Sequence, residues 1–263
     1  MLRVKVKDLK EGMINGEDVF DSGTFPLVNV DIEITAEIIR SLKSRNIPYI
    51  HVRVPKGFNS DKDIELYRIR EDLDYNGRIY IKEDLGPSLQ VTSGSSIIVN
   101  GSIAEGCCLG SRKGNISIKG SIHGTDKKPV HIIVSGDLII QEGASIDFAR
   151  IKANGNVNIS ADLVANSSIT AKEEILLKGR VAASQLTSKA KIKVQTCGDE
   201  ESKCVLKVNP SDELARNIVI THDIYPGTTI ILNDSRLEIK EKIYSRAFFI
   251  ENGRVISIAC SGV

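Results

Sequence analysis

IIVNGSI at residues 97–103, ISIKGSI at 116–122 and IIVSGDL at 132–138 repeat one phrase: an aliphatic pair, a small turn, then another aliphatic residue. IKANGNV (151–157), ITAKEEI (169–175) and LTSKAKI (186–192) carry it further. The turn positions align at Gly101, Gly120, Gly136, Gly155, Glu173 and Ala190, spaced 19, 16, 19, 18 and 17 residues apart. A repeat of about 18 residues with no helical period predicts a β-solenoid, each coil lying on the last.

Alternation about the turns sends three positions of each phrase inward, such as Ile97, Val99 and Ile103, then Ile116, Ile118 and Ile122. Later phrases supply Ile132, Val134, Leu138; Ile151, Ala153, Val157; Ile169, Ala171, Ile175; and Leu186, Ser188, Ile192. A second turn recurs at Gly106, Gly124, Gly143, Ala161 and Gly179. Coils about 4.8 Å apart would make a rod roughly 29 Å long from six of them. The expected class is mainly β, a right-handed parallel β-helix of about six rungs at 91–208.

Upstream, residues 1–58 read as a small α+β module. Strands are expected at Leu2–Val6, Asp18–Phe20, Phe25–Val30 and Tyr49–Val54, with a helix capped by Thr35 and ended at Asn46. Pro55, Gly57, Asn59 and Ser60 mark a break. Residues 59–90 read as a charged connecting segment with a short helix near Ile64–Ile69 and a strand at Arg78–Lys82. Downstream, 209–263 form a tail: a link over Asn209–Asn217 capped by Ser211, strands at Ile218–Ile220 and Thr228–Leu232, then a hairpin turning at Asn252-Gly253. Module and tail are placed to cap the open solenoid ends.

Composition narrows the function classes. A net charge of +1 gives no bulk attraction to nucleic acid or anionic membranes. Aromatics at 5% and no Trp suit a narrow core of stacked aliphatics. No apolar run has the length of a membrane span, and the opening MLRVKVKDLKEG lacks the apolar stretch of a signal peptide, so a cytoplasmic protein is expected. Five cysteines (Cys107, Cys108, Cys197, Cys204, Cys260) predict thiols, not a disulfide framework. The spacing of Cys197 and Cys204 is wider than that of a zinc knuckle.

Chemistry is sparse. His51, His123, His131 and His222 sit in no metal-binding motif. Thr221-His222-Asp223 beside Tyr225 reads as structural, because neighbouring strand residues face opposite ways. No phosphate loop and no G-x-S-x-G elbow occur. A carbohydrate-active β-helix would cluster acids and bases on adjacent coils; the nearest approach is Asp147, Arg150 and Asp162, read as solvated surface. The N-x-[ST] triplets at Asn100, Asn115, Asn158, Asn166 and Asn233 read as polar turn and outward strand residues. No catalytic residue, cofactor or metal site is expected.

The repeats, followed by Ile224-Tyr225-Pro226-Gly227 and Thr229-Ile230-Ile231, resemble the flagellar assembly protein A family of bacterial β-solenoids over residues 90–259. The resemblance implies a non-enzymatic assembly or regulatory scaffold acting through protein partners, with self-association through solenoid ends or faces. Typical members insert a long helical hairpin between solenoid and tail; here only Asn209–Asn217 occupies that place. The opening, with Asp8-Leu9-Lys10-Glu11-Gly12-Met13, Glu17-Asp18-Val19-Phe20-Asp21 and Asn46-Ile47, resembles the accessory module of HD-type cyclic-dinucleotide phosphodiesterases. Phosphodiesterase activity is not implied. Residues 94–124 are also similar in pattern to the C-terminal solenoid of the septum-site inhibitor MinC, which makes a division regulator the alternative to a scaffold and to a carbohydrate-active enzyme.

Overall fold

The computed structural model describes residues 1–53, 61–209 and 217–260. The break expected at Pro55–Ser60 and most of the expected link with its Ser211 cap lie outside the described residues. The chain is mainly β, wound into a parallel β-solenoid of about eight turns.

Each coil contributes one strand to each of two sheets, and one coil adds a second short strand, Ile122–His123, to the first. The first sheet stacks Ile64–Leu66, Ile79–Ile81, Ile97–Val99, Ile116–Ile118, Leu138–Asp147, Val157–Ala165, Ile175–Ala182, Ile192–Cys197 and Ile218–Ile224. The second stacks Leu73–Tyr75, Gln90–Ser93, Cys108–Ser111, Val130–Val134, Ala149–Ala153, Ser168–Ala171, Gln185–Ser188, Val205–Val208 and Thr229–Leu232. Between them lies one continuous core in which like side chains stack, as Ile97, Ile116, Leu138, Val157, Ile175, Ile192 and Ile218 do. Each is essentially buried, and burial of one such side chain stabilises by about 1.5–3 kcal/mol.

Two sequence expectations need correction. The solenoid begins at Ile64, not Val91, so the charged segment 59–90 supplies the first coils, and the helix expected near Ile64–Ile69 is the strand Ile64–Leu66. Its charges at Glu65, Asp74 and Lys82 hid the pattern, yet Ile64, Leu66, Tyr75, Ile79 and Ile81 point inward between them. Winding also continues past Val208, because the expected tail strands Ile218–Ile224 and Thr229–Leu232 stack in parallel as a further coil, so six expected rungs become nine strands in each sheet, about eight full turns.

The phrase alignment also slips by half a coil. Ile97 and Ile116 lie in the first sheet, whereas Ile132, Ile151, Ile169 and Leu186 lie in the second. The register partner of Ile116 is Leu138, with the Ile116 N–H donating to Asp137 O at 3.0 Å. Every coil contains the strand–turn–strand phrase at more than one corner, so sequence similarity cannot say which corner stacks on which. The inserted loop around Thr125–Pro129 widens one coil and hides the jump.

At the first end the small module extends the same sheet. Leu2–Lys5 pairs antiparallel with Tyr49–Val52 and touches the first coil at Leu2–Leu66. Helix Ala36–Ser44 starts where Thr35 Oγ1 accepts the Ile38 N–H at 3.3 Å, and Asn46 leaves it at φ 56°. Its Leu42 joins Val6, Leu9, Val19, Val28, Ile34, Ile50 and Val52 in a separate small core. The strands expected at Asp18–Phe20 and Phe25–Val30 are reduced to one bridge, Val19–Val28. At the other end Ser235–Glu238 and the hairpin Ile243–Glu251/Arg254–Ala259 reverse direction and close the ladders antiparallel.

Candidate interaction surfaces

The outward face of the first sheet presents Tyr80, Ile98, Ser117, Ile139, Asn158, Leu176, Lys193 and Val219 in one register column, which runs through the buried Ala247 to Ile258. The matching column of the second sheet is more polar: Thr92, Gly110, Ile133, Lys152, Thr170, Thr187 and Lys207. Strand alternation puts every second side chain of these regular ladders on a flat surface at fixed pitch. Ile133 and Ile139 are 57% and 40% exposed on opposite faces.

At one corner Phe148, Asn166 and Ala183 occupy left-handed φ near 48°, 48° and 46° in successive coils. The next residues turn inward as a hydroxyl ladder. The Ala149 N–H donates to Ser167 Oγ at 2.9 Å and the Ser167 N–H to Ser184 Oγ at 3.0 Å. An open groove of about 670 Å³ runs along this corner, with Asp126, Phe148, Arg150, Asn166, Glu201 and Lys203 among its walls. Its charges are mixed in sign.

Asp147, Arg150 and Asp162 do not converge. Asp147 accepts the Asn166 side-chain amide at 2.9 Å, Arg150 stands on the second sheet, and no ion pair links the three among the described residues. His123 ends the short strand Ile122–His123 beside Asp147, while His131 lies in the other sheet between Cys108 and Arg150. His51 bonds Glu17 and tilts against the Tyr67 ring, and Arg3 stacks 3.2 Å from the Tyr49 ring centre. His222 Nδ1 meets its neighbour Thr221 Oγ1. No group of His, Cys, Asp or Glu among the described residues could hold a metal ion.

Two features escaped the sequence reading. Cys197 and Cys204 form a disulfide, contrary to the expectation of separate thiols. Cys197 ends one strand and Cys204 precedes the next, and the tight corner between them brings both buried side chains together with Cα atoms 6.4 Å apart. Lys242 is the other. Its ammonium sits 3.0 Å from Asp223 and 3.2 Å from the Tyr225 hydroxyl, and these partners raise its pKa above the ordinary lysine value. It thereby ties the Ile224-Tyr225-Pro226-Gly227 corner to the tail, with Gly227 at φ 83°. A lysine in a charged tail carries no sequence signal of that contact.

Residues 41–209 match the family model described as the Flagellar Assembly Protein A beta solenoid domain. That is more than half of the chain. The chain belongs to this family. The match begins within helix Ala36–Ser44, earlier than the resemblance at 90–259, and stops before the Tyr-Pro-Gly corner. Comparison with curated proteins and with solved structures finds no match. Flagellar Assembly Protein A is a non-catalytic, assembly-type family. No helix of the described residues is long and apolar enough to cross a membrane.

Proposed function

We propose that this chain is a non-enzymatic scaffold of the flagellar assembly type, acting in the bacterial cytoplasm through protein–protein contact and self-association. The family match over a stacked parallel solenoid carries the reading. Flat ladders of fixed pitch suit shape-matched docking, in which backbone rigidity limits the ordering cost of binding. The scattered positions of Asp147, Arg150 and Asp162 give a carbohydrate-active enzyme no support. In this reading the N-terminal module is an accessory cap and adapter.

Deletion of the gene in its native bacterium tests the proposal. The expected result is lost or misplaced flagella by electron microscopy, restored by the intact chain, with the protein in the cytoplasmic fraction. Normal flagella in number and position would overturn it.

A further inference from the structure

The strand Arg254–Ala259 is the last of the first sheet, paired on one side with Ile243–Glu251 and with no described strand on the other. We infer that two copies of the chain join along this free edge, antiparallel, about a two-fold axis at Ser257. The inference rests on the self-association proposed above and fixes its place.

The direction of the backbone groups follows from the hairpin. Cys260 N–H donates to Ser245 O at 3.0 Å, and the two-residue turn at Asn252 and Gly253, both at positive φ, closes the other end. Bonded and non-bonded pairs alternate along an antiparallel ladder, so Arg254, Ile256, Ile258 and Cys260 bond the hairpin partner. Val255, Ser257 and Ala259 therefore aim their N–H and C=O groups outward. That set is self-complementary: Ser257 would face Ser257 of the second copy and Val255 would face its Ala259, with about six main-chain hydrogen bonds.

The edge also lacks protection. From Val255 to Ala259 it holds no charge and no proline, the usual guards of an exposed edge. The second sheet ends instead on Ser235–Glu238, which is shorter and carries Arg236 and Glu238. On the outward face the two-fold would set Ile256 against Ile258 of the second copy. Ile258 is 36% exposed now. Antiparallel pairing keeps the two Arg254 side chains at opposite ends of the seam, whereas parallel pairing would set them side by side.

A head-to-tail fibre that continues the first sheet lacks its receptor among the described residues. The outer edge of Tyr49–Val52, at the far end of the same sheet, is occupied within the chain. Gly16 N–H donates to His51 O at 2.7 Å and Arg53 N–H to Ile14 O at 2.8 Å, around an Asn15–Val52 bridge. Within the first sheet, an open edge at one end only gives a closed, isologous pair.

Sedimentation of the full chain over a wide concentration range is the test. The expected species is a dimer, twice the 28.7 kDa of the chain. Ser257→Pro removes an outward N–H but no bond to the hairpin partner, and should leave a monomer. Ile258→Lys keeps the backbone free and should weaken the dimer at least about ten-fold by burying charge against Ile256. If Ser257→Pro does not fold, Ile258→Lys decides alone. A parent protein that stays monomeric would overturn both the seam and self-association. A dimer that tolerates both substitutions would overturn the seam only.

Discussion

Single residues hold the coils together at their corners. Ser96, Asn115, Asp137 and Asn156 stand at one corner in successive coils, and the side-chain oxygen of each accepts a backbone N–H from the next coil, from Asn115, Asp137, Asn156 and Glu174 in turn. A turn N–H that would otherwise need water is met by the coil below. Asn115, read from sequence as a polar turn residue, belongs to this ladder. Ser184 does the same in a buried setting, so Ser184→Ala leaves the Ser167 N–H unpaired and should cost about 1–3 kcal/mol in chemical denaturation. Ser168→Ala, at a more exposed neighbour, is the control and should cost less.

Cys107 is fully buried, its thiol donating to Gly86 O at 2.9 Å, and burial raises its pKa above the usual thiol value. It should resist alkylation at neutral pH until the protein unfolds. Rapid native labelling at Cys107, located by peptide mass, would contradict this placement.

Elements show how far local pattern reaches. The hairpin at Asn252-Gly253 is legible because that pair tolerates positive φ and its flanks alternate. The helix at Ala36–Ser44 is legible through its threonine cap. The strands Ile64–Leu66 and Leu73–Tyr75 were not, since three residues give too few alternations to outweigh the charges beside them. Nor was the stacking register: Gly101 and Gly136 sit in the same phrase but at different corners, as the Gly120-to-Gly101 and Gly136-to-Gly114 backbone bonds show.

The disulfide belongs to this scale too. It closes a loop seven residues apart in sequence, so its reduction should lower stability by about 2 kcal/mol through loop entropy. Equal denaturation midpoints with and without reductant would show that the corner, not the bond, holds Cys197 and Cys204 together.

Across the whole molecule, stability is a sum over neighbouring coils, so the middle is supported from both sides and the ends from one. Amide exchange should be slowest in Ile116–Ile118, Leu138–Asp147 and Val157–Ala165, and faster toward Ile64–Leu66 and the terminal hairpin. Even protection from end to end would mean that the module and hairpin lock the ends as firmly as a coil would. Ile118→Ala, in the stacked core, should cost about 2–5 kcal/mol in thermal or denaturant unfolding and speed exchange in the flanking coils on both sides.

The amino-acid order alone determined that the chain coils in parallel, because recurring aliphatic pairs between turns have only one economical way to bury themselves: on their own copies. It also determined the closing hairpin, a short-range choice made by two turn residues. Tertiary contact decided where winding starts and which corner lies over which. Those outcomes depend on hydrogen bonds between residues a full coil apart, and neighbouring corners of one coil are too alike in sequence to announce them.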